Sequence, residues 1–192
     1  MKRGATKEDI IRTTRALIVR NGIRAVRVDE IAQMLGISKR TLYETFVDKA
    51  TLINSCLEDI SCKQKRRVTN YLSRQTDTPL QKVFWLTKEY VDNLRMVDCN
   101  FLTDLRHKLV YVEHFEADMQ FWEQAICSSL EAGKEAGEIL LTTQSHKVTH
   151  QLMDALYDMR LADVPHGEQN IFCRTMLRGI ATQIGIQWID NQ

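Results

Sequence analysis

Positions 36–52 read GISKRTLYETFVDKATL, and the side chains there suit recognition of a polyanion better than catalysis. At helical spacing Leu42 and Phe46 fall on one side, while Arg40, Thr41 and Glu44 point the other way, flanked by Tyr43 and Thr45, with Lys39 in the first turn and Ser38 ahead of it. Each type on that second face matches an edge of a base pair. Arginine or lysine fits guanine O6 and N7, glutamate accepts from the cytosine amine, and threonine meets a thymine methyl or a phosphate. Lys49 stands where a further helix begins and can hold a backbone phosphate, and Lys2, Arg3 and Lys7 extend the electrostatic grip.

Short, well-marked helices position these residues. A near capping box, Thr6 with Asp9, opens a helix over 6–21 that Gly22 closes. Val28, Ile31, Ala32 and Leu35 follow at helical spacing and end at Gly36, so a second short helix carries one apolar stripe. Ser38 caps a third helix ending near Phe46, whose Leu42 and Phe46, with Ile37, pack on that stripe. Two helices joined by a tight glycine turn, the second starting with small polar and basic residues, form the helix-turn-helix pattern.

Charge agrees with this location. The whole chain carries only +1, but residues 1–50 hold 11 Lys and Arg against 6 Asp and Glu, while residues 51–192 hold 15 against 19. Polyanion binding therefore belongs to the front of the chain. No apolar run near 18 residues and no charged-then-apolar leader occur, so we expect a cytoplasmic chain with no membrane partner. Five cysteines without a C-x-x-C spacing argue against disulfides or a zinc ribbon and read as small core residues.

The remainder is all-α by periodicity. Asp48 starts a long helix with Ile53, Cys56, Leu57 and Ile60 on one stripe, and Thr78, Pro79 and Gln81 make a complete helix start for a fifth reaching about 96. Four more are expected over 100–109, 114–136, 145–161 and 168–190, nine in all. The division expected is a DNA-binding domain over 1–47 and an effector-binding and dimerisation domain over 48–192. Drawn as one helix, 168–190 spreads Phe172, Met176, Leu177, Ile180, Ile184 and Trp188 over an apolar arc about twice the 100° that one core requires, which predicts a second copy of the chain against it.

Phe84, Trp85, Tyr90, Phe101, Phe121, Trp122, Met153 and Tyr157 are the candidates to line an apolar effector pocket between helices. His146 and His150 lie one turn apart, a geometry that can clamp a metal, but no third ligand is evident in the sequence; no metal and no cofactor are expected. No phosphate-cradling glycine loop, G-x-S-x-G or H-E-x-x-H is present, so no catalytic residues are assigned and no enzyme is expected.

The stretch VDEIAQMLGISKRTLYETFVDKATL resembles the signature of the tetracycline-repressor (TetR) family of transcriptional regulators. Ile31, Ala32, Gly36, Ile37, Ser38, Thr41, Leu42, Tyr43, Phe46, Lys49 and Leu52 match in place, and with the first helix the likeness covers about 45 residues. The resemblance implies a homodimer bound to a double-stranded DNA operator, with a small-molecule effector that shifts the reading heads through the fourth helix, and usually repression. It also implies phosphate contacts from Tyr43 and Lys49, base contacts from Lys39, Arg40 and Thr45, and either from Thr41. Arg27 stands where many members place a threonine cap, so the second helix must be capped otherwise or not at all, and Arg27 is left as a phosphate contact.

A pair of heads is also expected on energetic grounds. One short helix reads about four base pairs at about 1–3 kcal/mol each, near or below the discrimination that a genome of competing sites demands. Two copies in successive major grooves predict a palindromic operator with half-sites about 34 Å apart. The competing reading is a helical protein-interaction module that uses the same basic hairpin for an acidic partner.

Overall fold

The computed structural model describes residues 5–107 and 109–192. Among them the chain forms ten helices: α1 (Lys7–Ala25), α2 (Val28–Leu35), α3 (Lys39–Thr45), α4 (Lys49–Leu72), α5 (Pro79–Arg95), α6 (Cys99–His107), α7 (Leu109–Glu135), α8 (Ser145–Leu161), α9 (His166–Ile180) and α10 (Gln183–Asp190). The only pairing of β type among the described residues is one isolated bridge, Ile139 to Ala181. The chain divides into two compact units, one made of residues up to Arg66 with Met96–Glu116 and the other of Arg67–Arg95 with Ala117–Gln192, so α4 and α7 contribute to both.

In the first unit, α1 begins as its sequence dictates. The Thr6 hydroxyl accepts from the Asp9 N–H at 3.1 Å, and the Asp9 carboxylate accepts from the Thr6 N–H at 3.1 Å, a reciprocal capping box. Gly22 leaves helical geometry at φ 78°, and one further turn carries the chain to Ala25. Ile10, Leu17, Ile18 and Ile23 of α1 join Ile31, Leu42, Leu52 and Ile53 in a core from which solvent is excluded. Arg15 pairs with Asp59 and Arg24 with the buried carboxylate of Asp104 at 2.8 Å.

The second unit packs α5 against α8 and α9, with Leu80, Val83, Leu86, Leu152, Leu156 and Leu177 all buried. Its first helix starts as the Thr78-Pro79-x-Gln81 pattern requires, with the Gln81 side chain accepting from the Thr78 N–H at 2.9 Å.

Two boundaries differ from the sequence expectation. The helix expected over 114–136 begins five residues earlier, at Leu109. More consequential, the helix expected over 168–190 is two helices. Ala181 is extended at φ −83°, ψ 149°, and its neighbours turn outward to pair with the loop after α7: Leu140 donates to the Ile180 carbonyl and Thr182 to the Glu138 carbonyl, both at 2.9 Å. The Thr182 hydroxyl then caps α10. The single arc drawn through Ile180, Ile184 and Trp188 is therefore not one helical face, because the helical phase is reset between them. Gly185 sits where this bridge crosses; a Cβ there would come within 2.5 Å of the Glu138 carbonyl oxygen and 2.9 Å of Ala181 Cβ.

Candidate nucleic-acid interface

The turn between α2 and α3 is held by backbone geometry. Gly36 takes the left-handed conformation at φ 64°, ψ 31°, and its N–H and that of Ile37 return to the carbonyls at the end of α2. Empty space surrounds the position where a Cβ would be, so it is the positive φ that calls for glycine. Ser38 then starts α3, its hydroxyl accepting from the Thr41 N–H at 3.0 Å and meeting the Thr41 hydroxyl at 2.8 Å. Ser38 and Thr41 therefore serve the helix start, and Thr41 is half-buried.

Burial separates the two faces of α3. Leu42 is fully buried and Phe46 is 2% exposed, whereas Lys39, Arg40, Tyr43, Glu44 and Thr45 are exposed. Arg40 Nε meets Glu44 Oε1 at 3.0 Å, and Lys39 Nζ meets Asp29 of α2 at 3.0 Å. The hydrogen bond and charge of Asp29 raise the Lys39 pKa, so this cation stays charged throughout the neutral range. Thr45 spends its hydroxyl on the Thr41 carbonyl at 3.2 Å, which leaves its methyl for outside contact. Lys49 is the first residue of α4 and half-buried; Asp48 ahead of it caps that helix by accepting from the Thr51 N–H at 2.7 Å, a bond that holds the Asp48 carboxyl below its ordinary range.

The flanking cations are placed unequally. Lys7 lies over the Phe46 ring, 5.6 Å from its centroid, so it braces the end of α3 as well as adding charge there. Arg27 is exposed at the N-cap of α2 and makes no side-chain cap, leaving that cap unmade. Lys2 and Arg3 lie outside the described residues.

Most of the expected pocket residues are buried or held in aromatic contacts. Tyr90, Trp122, Met153 and Tyr157 are buried, with Tyr90 edge-on to Trp122 at 5.4 Å; Trp85 stacks on Tyr71 at 3.8 Å, and Phe84 meets Trp188 edge-on at 5.4 Å. Phe101 is buried in the first unit. Of the eight, Phe121 lines a cavity of about 350 Å³, together with Leu72, Pro79, Lys82, Gln124, Ala125, Ser128, Ser129 and Ala132. Periodicity finds apolar faces but does not separate a filled interior from a hollow one, and it passed over the small and polar residues that form this wall. Cys56 and Cys173 are buried, and burial pushes both thiols up to about 12, as inert core residues require.

Fold and surface together define a helix-turn-helix DNA-binding unit accompanied by a second, all-helical unit. Residues 10–56 match the family of bacterial regulatory proteins described as the tetR family. The matched stretch runs from α1 into the start of α4 and takes in the whole helix-turn-helix. The fold agrees over nearly the whole length: a transcriptional regulator from Saccharomonospora viridis in complex with choline superposes with a TM-score of 0.78 at 17% identity, covering 92% of this chain and 98% of that one. A TetR-family regulator from Agrobacterium tumefaciens gives 0.77 at 17% identity, covering 92% and 97%. The regulator FadR from Bacillus subtilis, in complex with stearoyl-CoA, gives 0.68 at 16%, covering 90% and 96%. A comparison with curated protein sequences finds no match. No helix among the described residues is long and apolar enough to cross a membrane.

Proposed function

We propose that this regulator is a repressor that binds a palindromic operator as a homodimer and leaves it when a small molecule occupies the helical unit. The observation that carries the reading is the division of α3 into a buried apolar side and a side where Lys39, Arg40, Tyr43, Glu44 and Thr45 all reach solvent. A stable helix that keeps five polar or amphipathic side chains outward, beside Lys7 and Lys49, has the shape and charge for a major groove. In this reading Arg40, Lys39 and Thr45 meet bases, and Tyr43, Lys49, Lys7 and Arg27 meet phosphates.

Pairing of two chains is supported by apolar side chains left in water at the end of the chain. Ile171 and Ile184 are 65% and 67% exposed, with Phe172, Met176, Ile180 and Trp188 half-buried beside them. The effector is assigned to the cavity at Phe121, where apolar Leu72 and Ala125 face Lys82, Gln124 and Ser128. Fold neighbours solved with choline and with stearoyl-CoA support a ligand-responsive helical unit. Lys82 favours a small amphipathic molecule with an anionic or acceptor group. The route of release is α4, which carries both Lys49 and Leu72.

Selection of duplexes from a random library by the purified protein tests the reading. The expected product is an inverted repeat with half-site centres about 34 Å apart. A library returned without sequence preference would instead favour an acidic protein partner for the same basic face.

A further inference from the structure

We propose that Glu123, His146 and His150 form a binding site for a divalent first-row transition ion of zinc's class, with Asp154 as the positioning residue behind His150. This site lies within the second unit and does not depend on the DNA-binding reading.

The sequence supplies two imidazoles one turn apart on α8, and the fold supplies the third donor from α7. Glu123 Oε1 stands 3.4 Å from His146 Nε2 and 4.0 Å from His150 Nδ1. That oxygen is shielded from solvent and accepts no hydrogen bond. A buried carboxylate oxygen left so is costly, and two imidazole nitrogens, each able to ligate when unprotonated, stand within 4.0 Å of it. An ion held by all three would satisfy it.

The distances fit this role. Donors about 2.0–2.1 Å from a tetrahedral ion are about 3.4 Å from one another, which is the separation of Glu123 and His146. As they stand, no three such side chains among the described residues are placed to hold a metal ion, and His150 Nδ1 is 4.0 Å from Glu123 Oε1. His150 is 62% exposed, so rotation of its ring can close that gap without displacing the core.

The far side of His150 strengthens the assignment. Its Nε2 lies 3.3 Å from Asp154 Oδ2, one turn further along α8. A carboxylate on the outer nitrogen fixes the tautomer that leaves Nδ1 free to ligate, the usual arrangement behind a metal-bound histidine. Access is open, because Glu123 and His146 line a cavity of about 400 Å³ that also includes Cys127. Two imidazoles and one carboxylate select zinc, nickel, cobalt or copper(II) over magnesium or calcium, whose sites are built from oxygen.

The test is a titration of the full chain, stripped of metal, with Zn²⁺ in competition with a chromophoric chelator at neutral pH. One saturable ion per chain is expected, with Mg²⁺ failing to compete. Asp154→Asn should weaken binding about 10–100-fold, the loss typical of an outer carboxylate, and His146→Ala, His150→Ala and Glu123→Gln should each weaken it further. His166→Ala, which removes an imidazole paired with Asp92 at 2.9 Å elsewhere in the unit, should change nothing. His146 and His150 are surface residues, so their variants fold even if the Glu123 variant does not. Absence of saturable binding at micromolar zinc, equal competition by Mg²⁺, or affinity unchanged in both His146→Ala and His150→Ala would each overturn the proposal.

Discussion

Arg40 and Glu44 face each other across one turn of α3, Nε to Oε1 at 3.0 Å, with side chains 88% and 60% exposed. An exposed pair of this kind contributes about 0.3–0.5 kcal/mol to folding. Its removal should therefore leave the melting temperature almost unchanged. Arg40→Ala should instead cost about 1–3 kcal/mol at one base position of each half-site and relax the preference there. Equal losses on cognate and scrambled duplexes would remove Arg40 from the base-reading set.

Tyr43 and Lys49 are assigned to phosphates, so Tyr43→Phe and Lys49→Ala should weaken every duplex by a similar factor. Loss of Lys49 should also lower the slope of log affinity against log salt by about 1. Anisotropy titrations at several salt concentrations measure both quantities. A base-specific loss at either residue would contradict the assignment.

Two glycine-to-alanine changes should fail for different reasons. At Gly36 there is room for a methyl but φ is +64°, so the cost is backbone strain of about 1–2 kcal/mol. At Gly185 the conformation is ordinary for a helix, yet the new Cβ meets the Glu138 carbonyl at 2.5 Å, an overpacking cost of about 1–3 kcal/mol. Asparagine, which tolerates the left-handed region, should partly rescue position 36 and worsen position 185. Denaturant melts of the four variants check this, and rescue at 185 would refute the steric account.

The α4 cap should appear in the acid limb of stability. The Thr51 N–H bond lowers the Asp48 carboxyl below its ordinary 3.8 in the folded chain. Stability from a lowered carboxyl is present above the unfolded value and is lost as pH falls through the folded one. Wild type should therefore exceed Asp48→Ala at neutral pH, and the two should converge below about pH 4. A gap that stayed constant through that range would show that the charge of Asp48 is not what caps the helix.

Local signals were legible in the sequence wherever local chemistry decides the structure. The Thr6–Asp9 box, the Gly36 turn, the Ser38 cap and the Thr78–Gln81 start all fall where their residue types place them, and so do the buried Leu42 and Phe46. The break at Ala181 was not legible, since Gly179 and Thr182 beside it also fit an unbroken helix and the bridge made there is to Ile139, over forty positions away. Separation along the chain likewise hid Glu123, on α7, from His146 and His150 on α8. Aromatic spacing reached the cavity wall at Phe121 but not its other members, because Lys82, Gln124 and Ser128 carry no periodic apolar signal.

The central claim is that the outward side of α3 reads duplex DNA twice, once from each of two chains. A footprint of the protein on its selected duplex, with stoichiometry measured on the same complex, tests it most directly. Two chains per duplex, protection in two adjacent major grooves about one helical turn apart, and relaxed preference at symmetry-related positions for Arg40→Ala are the expected result. A single bound chain, or an Arg40→Ala footprint with undiminished base preference in both halves, would contradict it.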